Sequence, residues 1–74
     1  MVGMASEVCI ALGQRIRSLR RKRRWRQLDL AMQAGINENY VSDLELGRKE
    51  VCLNTIQALA AAFGMSISEF VKGV

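Results

Sequence analysis

Two groups of side chains in this 74-residue chain carry recognisable chemistry. The first is a block of charge. Eight of the eleven basic residues fall within twelve positions, at Arg15, Arg17, Arg20, Arg21, Lys22, Arg23, Arg24 and Arg26, with no acid between Gln14 and Leu28. Such a block suits a polyanion, because neutralising phosphates releases condensed counterions and drives binding without regard to base sequence. A solvated helix face is the competing reading, although such faces normally intersperse both signs. The second group comprises Asn37, Glu38, Asn39, Ser42 and Asp43. These side chains are short enough to read base edges in a major groove: asparagine pairs bidentately with adenine, and a carboxylate accepts from cytosine N4. Phosphates repel acids, so Glu38 and Asp43 either read cytosine or miss the groove.

Other chemistries are poorly provided for. There is no histidine. The chain also has no glycine-rich phosphate loop, no serine or cysteine beside a visible base and no carboxylate cluster, so neither an enzyme nor a metal or cofactor site is expected. Cys9 and Cys52 lie far apart in sequence and form no Cys-x-x-Cys; both are expected to be reduced, small apolar fillers. No run approaches the roughly 20 apolar residues of a membrane span, and no basic stretch precedes the apolar residues of positions 1–12. The expectation is a cytoplasmic single domain over residues 1–74, with no membrane association and no small-molecule ligand.

Both groups have to be positioned by helices. The spacing predicts five, an all-α fold. The first spans about Ser6 to Lys22, with Ser6 as N-cap and Val8, Leu12, Ile16 and Leu19 repeating along one face. The second spans Gln27 to Ala34 and ends at Gly35. The third spans Glu38 to Leu46, capped by Asn37 and stopped by Gly47. A fourth from Leu53 to Phe63 turns Ile56, Leu59, Ala60 and Phe63 inward and stops at Gly64. Ser66 opens a short fifth helix, with Glu69 three residues on completing a capping box. The second and third helices, hinged at Gly35, form a helix-turn-helix whose outward face is the polar group above.

The order Leu12-Gly13-x-Arg15-Ile16-Arg17-x-Leu19-Arg20, then Gln27, Leu30-Ala31, Gly35-Ile36, Tyr40-Val41-Ser42, Glu45-x-Gly47-Arg48, and Ala60 to Gly64 with Ser66 to Phe70, resembles the lambda-repressor-like (Cro-type, XRE) helix-turn-helix family. The resemblance covers nearly everything from Leu12 to Val71. It implies a five-helix domain acting as a homodimeric regulator on a partly palindromic operator in double-stranded DNA. The single-domain length and the Glu50-Val51-Cys52-Leu53 segment are similar to controller proteins of restriction-modification systems. Carried over by position, the resemblance implies base reading by Asn37, Glu38, Asn39 and Asp43 with Ser42 beside them. Gln27 would sit beside the phosphate backbone and brace the recognition helix. Arg20 and Glu45 would form a salt bridge between the first and third helices. Arg48 and Lys49 are expected on phosphates and Tyr40 divides between core and phosphate, while Asn37 is divided between capping its helix and touching DNA. Where most relatives place serine or threonine before the glutamine, this chain has Arg26, which cannot accept amide hydrogen bonds but adds charge where the phosphate backbone passes. Trp25 is expected to close the core.

A single recognition helix reads only a few base pairs, and two-fold symmetry doubles this. Ile67, Phe70, Val71 and Val74 offer more apolar surface than so short a helix buries on its own core. This end is therefore expected to form the dimer interface, with closure of the monomer's own core as the other reading of Phe70. An antitoxin-type interaction module and a non-specific DNA binder remain as alternatives to the regulator.

Overall fold

The computed structural model describes residues 2–74, with side chains from Glu7 onward. Its helices are α1 (Val2–Lys22), α2 (Gln27–Ala34), α3 (Glu38–Glu45), α4 (Leu53–Ala62) and α5 (Ile67–Phe70). The described residues contain no strand. α1 begins well before Ser6, which therefore lies inside the helix and is not the N-cap expected of it. The other boundaries fall within a residue of their sequence expectations, several of them marked by side-chain caps or left-handed glycines. Asn37 Oδ1 accepts from the Asn39 amide at 2.7 Å. Ser66 and Glu69 exchange the reciprocal bonds of a capping box, each at 3.1 Å.

The core is built from one face of each helix. Phe70, Ile16, Leu30, Leu59 and Val41 are its largest fully buried side chains, joined by Leu12, Leu19, Leu44 and Phe63. Each such burial contributes about 1.5–3 kcal/mol, so these residues and not the surface charges hold the helices together. Val8 does not join them; it is 61% exposed, although it keeps the helical spacing of Leu12 and Ile16. Trp25 stacks on Phe63 with ring centroids 5.8 Å apart, and Phe63 in turn packs on Phe70 at 5.9 Å. This aromatic row closes the core between the α1–α2 turn and α5.

α1 crosses α3 at Gly13. A Cβ there would press on the Leu44 carbonyl oxygen and lie 2.6 Å from that of Glu45, so only glycine allows the two backbones so close. A mid-helix glycine is costly unless something approaches it, which is the one signal in the sequence for this contact.

Helix ends show the same economy of design. α3 closes with the Arg48 amide bonded to the Asp43 carbonyl at 2.9 Å across Gly47, a Schellman turn with φ +71° at the glycine. α1 closes in the same way, with the Trp25 amide on the Arg20 carbonyl at 3.2 Å, but the left-handed position is Arg24 at φ +57°. Arginine there carries a steric penalty that glycine avoids.

Two arginines tie α1 to the far end of the chain. Arg15 donates through Nε and Nη2 to the carbonyls of Phe70 and Glu69, at 2.9 and 2.8 Å. Arg23 donates to the Phe63 carbonyl at 2.6 Å while its guanidinium lies over the Phe63 ring, 4.8 Å from the centroid. Each satisfies carbonyls that a helix C-terminus leaves without an intrahelical partner.

Candidate nucleic-acid interface

The third helix is held at its C-terminal end by one buried carboxylate. Glu45 accepts from Arg20 Nε at 2.5 Å and Nη2 at 3.0 Å, a bidentate pair, and from Gln27 Nε2 at 3.1 Å. The Glu45 side chain is 2% exposed. Arg20 also donates to the Trp25 carbonyl at 2.7 Å, so α1, the following turn, α2 and α3 meet at one guanidinium–carboxylate pair. The hydrogen bond to Glu45 pushes the Arg20 pKa above its ordinary value; burial opposes this and the Glu45 charge adds to it. With no buried side-chain polar atom left unpartnered among the described residues, the cluster is fully satisfied.

Along the outward side of α3, Asn37, Glu38 and Asn39 are exposed and Ser42 and Asp43 partly buried. The Asn37 acceptor oxygen is occupied by the cap, leaving its amide nitrogen to face outward chemistry. Asp43 pairs with both cations of the next turn, Lys49 Nζ at 3.3 Å and Arg48 Nη1 at 3.8 Å. Tyr40 is partly buried against the core, and Lys49 Nζ lies 6.0 Å from its ring centroid.

At the start of α2, Arg26 occupies the N-cap without a side-chain cap bond. Half of a capping box survives nevertheless, because Asp29 reaches back to the Arg26 amide at 2.7 Å. The same carboxylate holds the Arg26 guanidinium at 3.0 and 3.2 Å. Those bonds, from the side chain first and the amide second, lower the Asp29 pKa. The Arg26 side chain is 75% exposed, so its charge faces solvent beside Gln27.

Cys52 is exposed, not a filler. It occupies the N-cap of α4 with Sγ 3.2 Å from Thr55 Oγ1, and that contact with the helix amides makes the thiol more acidic than usual.

The basic block thus divides by role. Arg15, Arg20 and Arg23 are spent on the fold and Arg26 pairs with Asp29, whereas Arg17, Arg21, Lys22 and Arg24 are exposed. Reading the block as a single surface was wrong in that respect. No local pattern reveals such a division, since the carbonyls that Arg15 and Arg23 reach lie 40 or more residues away.

Of the residues expected at the dimer surface, Phe70 takes its other reading and closes the monomer's own core. Phe70 is 0% exposed, packed on Phe63, and presents nothing to a partner. Ile67 is 39% and Val74 43% exposed, with Val71 partly buried between them. Val71 and Val74 line a groove of about 390 Å³ with Val8, Leu12, Val51 and Ile56. Among the described residues no helix is long and apolar enough to cross a membrane, and no group of three or more Cys, Asp or Glu is placed to hold a metal ion.

A helix pair braced at a buried ion pair, with a polar outward face on its second member, defines a helix-turn-helix domain. A family model described as a helix-turn-helix domain matches residues 11–70, and the chain belongs to that family. The HTH-type transcriptional regulator DdrOP3 of Deinococcus deserti is 41% identical over 63 residues, which cover 85% of this chain and 49% of that protein. The immunity repressor protein of Bacillus phage phi105 is 36% identical over 62 residues, 84% of this chain and 43% of that one. This chain therefore spans half or less of those two relatives. The restriction-modification controller protein C.AhdI from Aeromonas hydrophila superposes with a TM-score of 0.81 at 34% identity, covering 84% of this chain and 94% of its own.

Proposed function

We propose that this protein is a sequence-specific transcriptional regulator that binds double-stranded DNA as a homodimer on a partly palindromic operator. The observation that carries this reading is the clamp on Glu45. Arg20 and Gln27 hold the helix 38–45 at a fixed angle, so its polar face enters a major groove as a rigid body. Asn37, Glu38, Asn39, Ser42 and Asp43 then read base edges. Gln27, Arg26, Tyr40, Arg48 and Lys49 flank them and set the register on phosphates. Family membership over residues 11–70 supports the same reading.

The homodimer uses Ile67, Val71 and Val74 with the adjoining groove, and not Phe70. Two-fold symmetry then asks for half-sites about 34 Å apart, one for each recognition helix. Action in the cytoplasm accords with these partners.

The test is selection of preferred sites from a random duplex library at about 0.15 M salt, then binding of the winner at two further salt concentrations. A partly palindromic site with half-sites about 10 base pairs apart, bound roughly a thousandfold above bulk DNA, is the expected result. The exposed cations Arg17, Arg21, Lys22 and Arg24 favour one rival, a non-specific binder. That rival predicts no enriched sequence and an affinity that falls steeply with salt.

A further inference from the structure

The Asp43 carboxylate engages both cations that are offered to phosphates in the turn after α3. Lys49 Nζ is 3.3 Å from one oxygen and Arg48 Nη1 3.8 Å from the other. The arrangement is built into the backbone, because the Arg48 amide bonds to the Asp43 carbonyl across Gly47 and so folds the basic turn back over this residue. Side-chain exposures of 26% for Asp43, 68% for Arg48 and 58% for Lys49 leave the pairs accessible to solvent and therefore to exchange. Glu50, also exposed and in the same turn, joins no such pair among the described residues.

We propose that Asp43 is a specificity-determining residue that withholds Arg48 and Lys49 from DNA until a matching base pair takes the carboxylate over. This rests on the reading of α3 as the recognition helix. On bulk DNA the phosphates compete with Asp43 for the same two cations, and winning them strands a carboxylate beside the duplex. At a site presenting cytosine N4 or adenine N6 opposite Asp43, the base amine donates to the carboxylate as the cations move to phosphates. The exchange leaves every charge partnered only at the correct base pair. Specificity is a difference between affinities, and here it arises from a penalty on wrong sites.

The experiment compares the full chain with Asp43→Asn, and with Glu50→Gln as a control carrying the same charge change, on bulk duplex and on the selected site. Asparagine keeps the side chain's size, and the turn stands on backbone bonds, so the fold is retained. Asp43→Asn is expected to tighten bulk binding about three- to tenfold, the change that two exposed ion pairs are worth. It should shrink the preference for the selected site by at least as much. Glu50→Gln is expected to move bulk binding by less than about twofold. In an Arg48→Ala, Lys49→Ala background the Asp43→Asn gain should fall to that of the control. Equal effects of Asp43→Asn and Glu50→Gln, or a gain that survives without Arg48 and Lys49, would reduce Asp43 to long-range repulsion and overturn the inference. A selected site whose margin over bulk DNA is unchanged in Asp43→Asn overturns it as well, and leaves the regulator reading intact. A wild-type chain with no preferred site overturns that reading and the specificity role with it.

Discussion

Glu45 and Asp43 stand two residues apart on one helix, and both pair with cations, yet they do opposite work. Glu45 is buried at the meeting of α1, α2 and α3, held by Arg20 and Gln27. Asp43 faces outward, holding Arg48 and Lys49 at longer range. Burial makes the first a fixed joint, since removing either partner strands a charge away from water. Solvent makes the second an exchangeable contact, since water and phosphate can replace it at little cost. The helix is thus rigid in its setting and labile at its surface, which suits the groove-reading role proposed for it.

The sharpest way to break the contrast is to truncate both acids. Glu45→Ala is expected to cost about 3–5 kcal/mol by leaving Arg20 uncompensated, whereas Asp43→Ala costs at most about 1. Chemical denaturation of the two variants checks this, and equal losses would mean that the buried pair is no joint at all. Gly13→Ala comes next, because its methyl would push α3 off α1. The overpacking is expected to cost about 1–3 kcal/mol, against the gain of up to about 1 that alanine brings to an ordinary helix interior. A Tm that rises would show that the crossing is looser than the carbonyl contacts imply. Arg24→Gly acts in the other direction, relieving a left-handed arginine; a stabilisation of about 0.5–1 kcal/mol is expected, read as a higher Tm, while the Glu45 joint is untouched.

The smallest effect concerns a third paired acid, Asp29, which is as exposed to exchange as Asp43. Its folded pKa is lowered by Arg26, so it stabilises the fold above the ordinary carboxylate range, and this contribution is lost as the pH falls through the lowered value. Melting the wild type and Asp29→Asn across acid pH should show their curves converging at the acid end. Curves that stay parallel would deny the Arg26–Asp29 contact any energetic role.

Much of this was legible residue by residue where the cause is local. Asn37, Ser66 with Glu69, and the glycines at 35, 47 and 64 act within a turn of themselves, so the helix boundaries follow from short-range chemistry. Arg26 shows the limit even at that range. Its lack of an acceptor was visible, but the return bond from Asp29 was not, because arginine at a cap gives no cue to look for it. Val8 failed, and Phe70 stayed divided between interface and core, for a different reason. Helical spacing assigns each to an apolar face, and only the placement of α5 and the chain's end decides which face is covered. Phe70 is sealed beneath Phe63, on which Trp25 stacks in turn, while Val8 is left at the rim of a groove.

By itself the sequence determined five helices, the hinge at Gly35, the polar outward face of α3 and the excess of positive charge. These depend on periodicity, capping and composition, which are properties of neighbouring residues. The Arg20–Glu45 joint was expected from family resemblance, but tertiary structure alone decided that Arg15 and Arg23 are joints too, what Gly13 lies against, and that Asp43 rather than Glu38 or Glu50 meets the basic turn. Each of those rests on contacts set by how helices pack or how the chain folds back at their ends, and such contacts leave no trace in residue spacing.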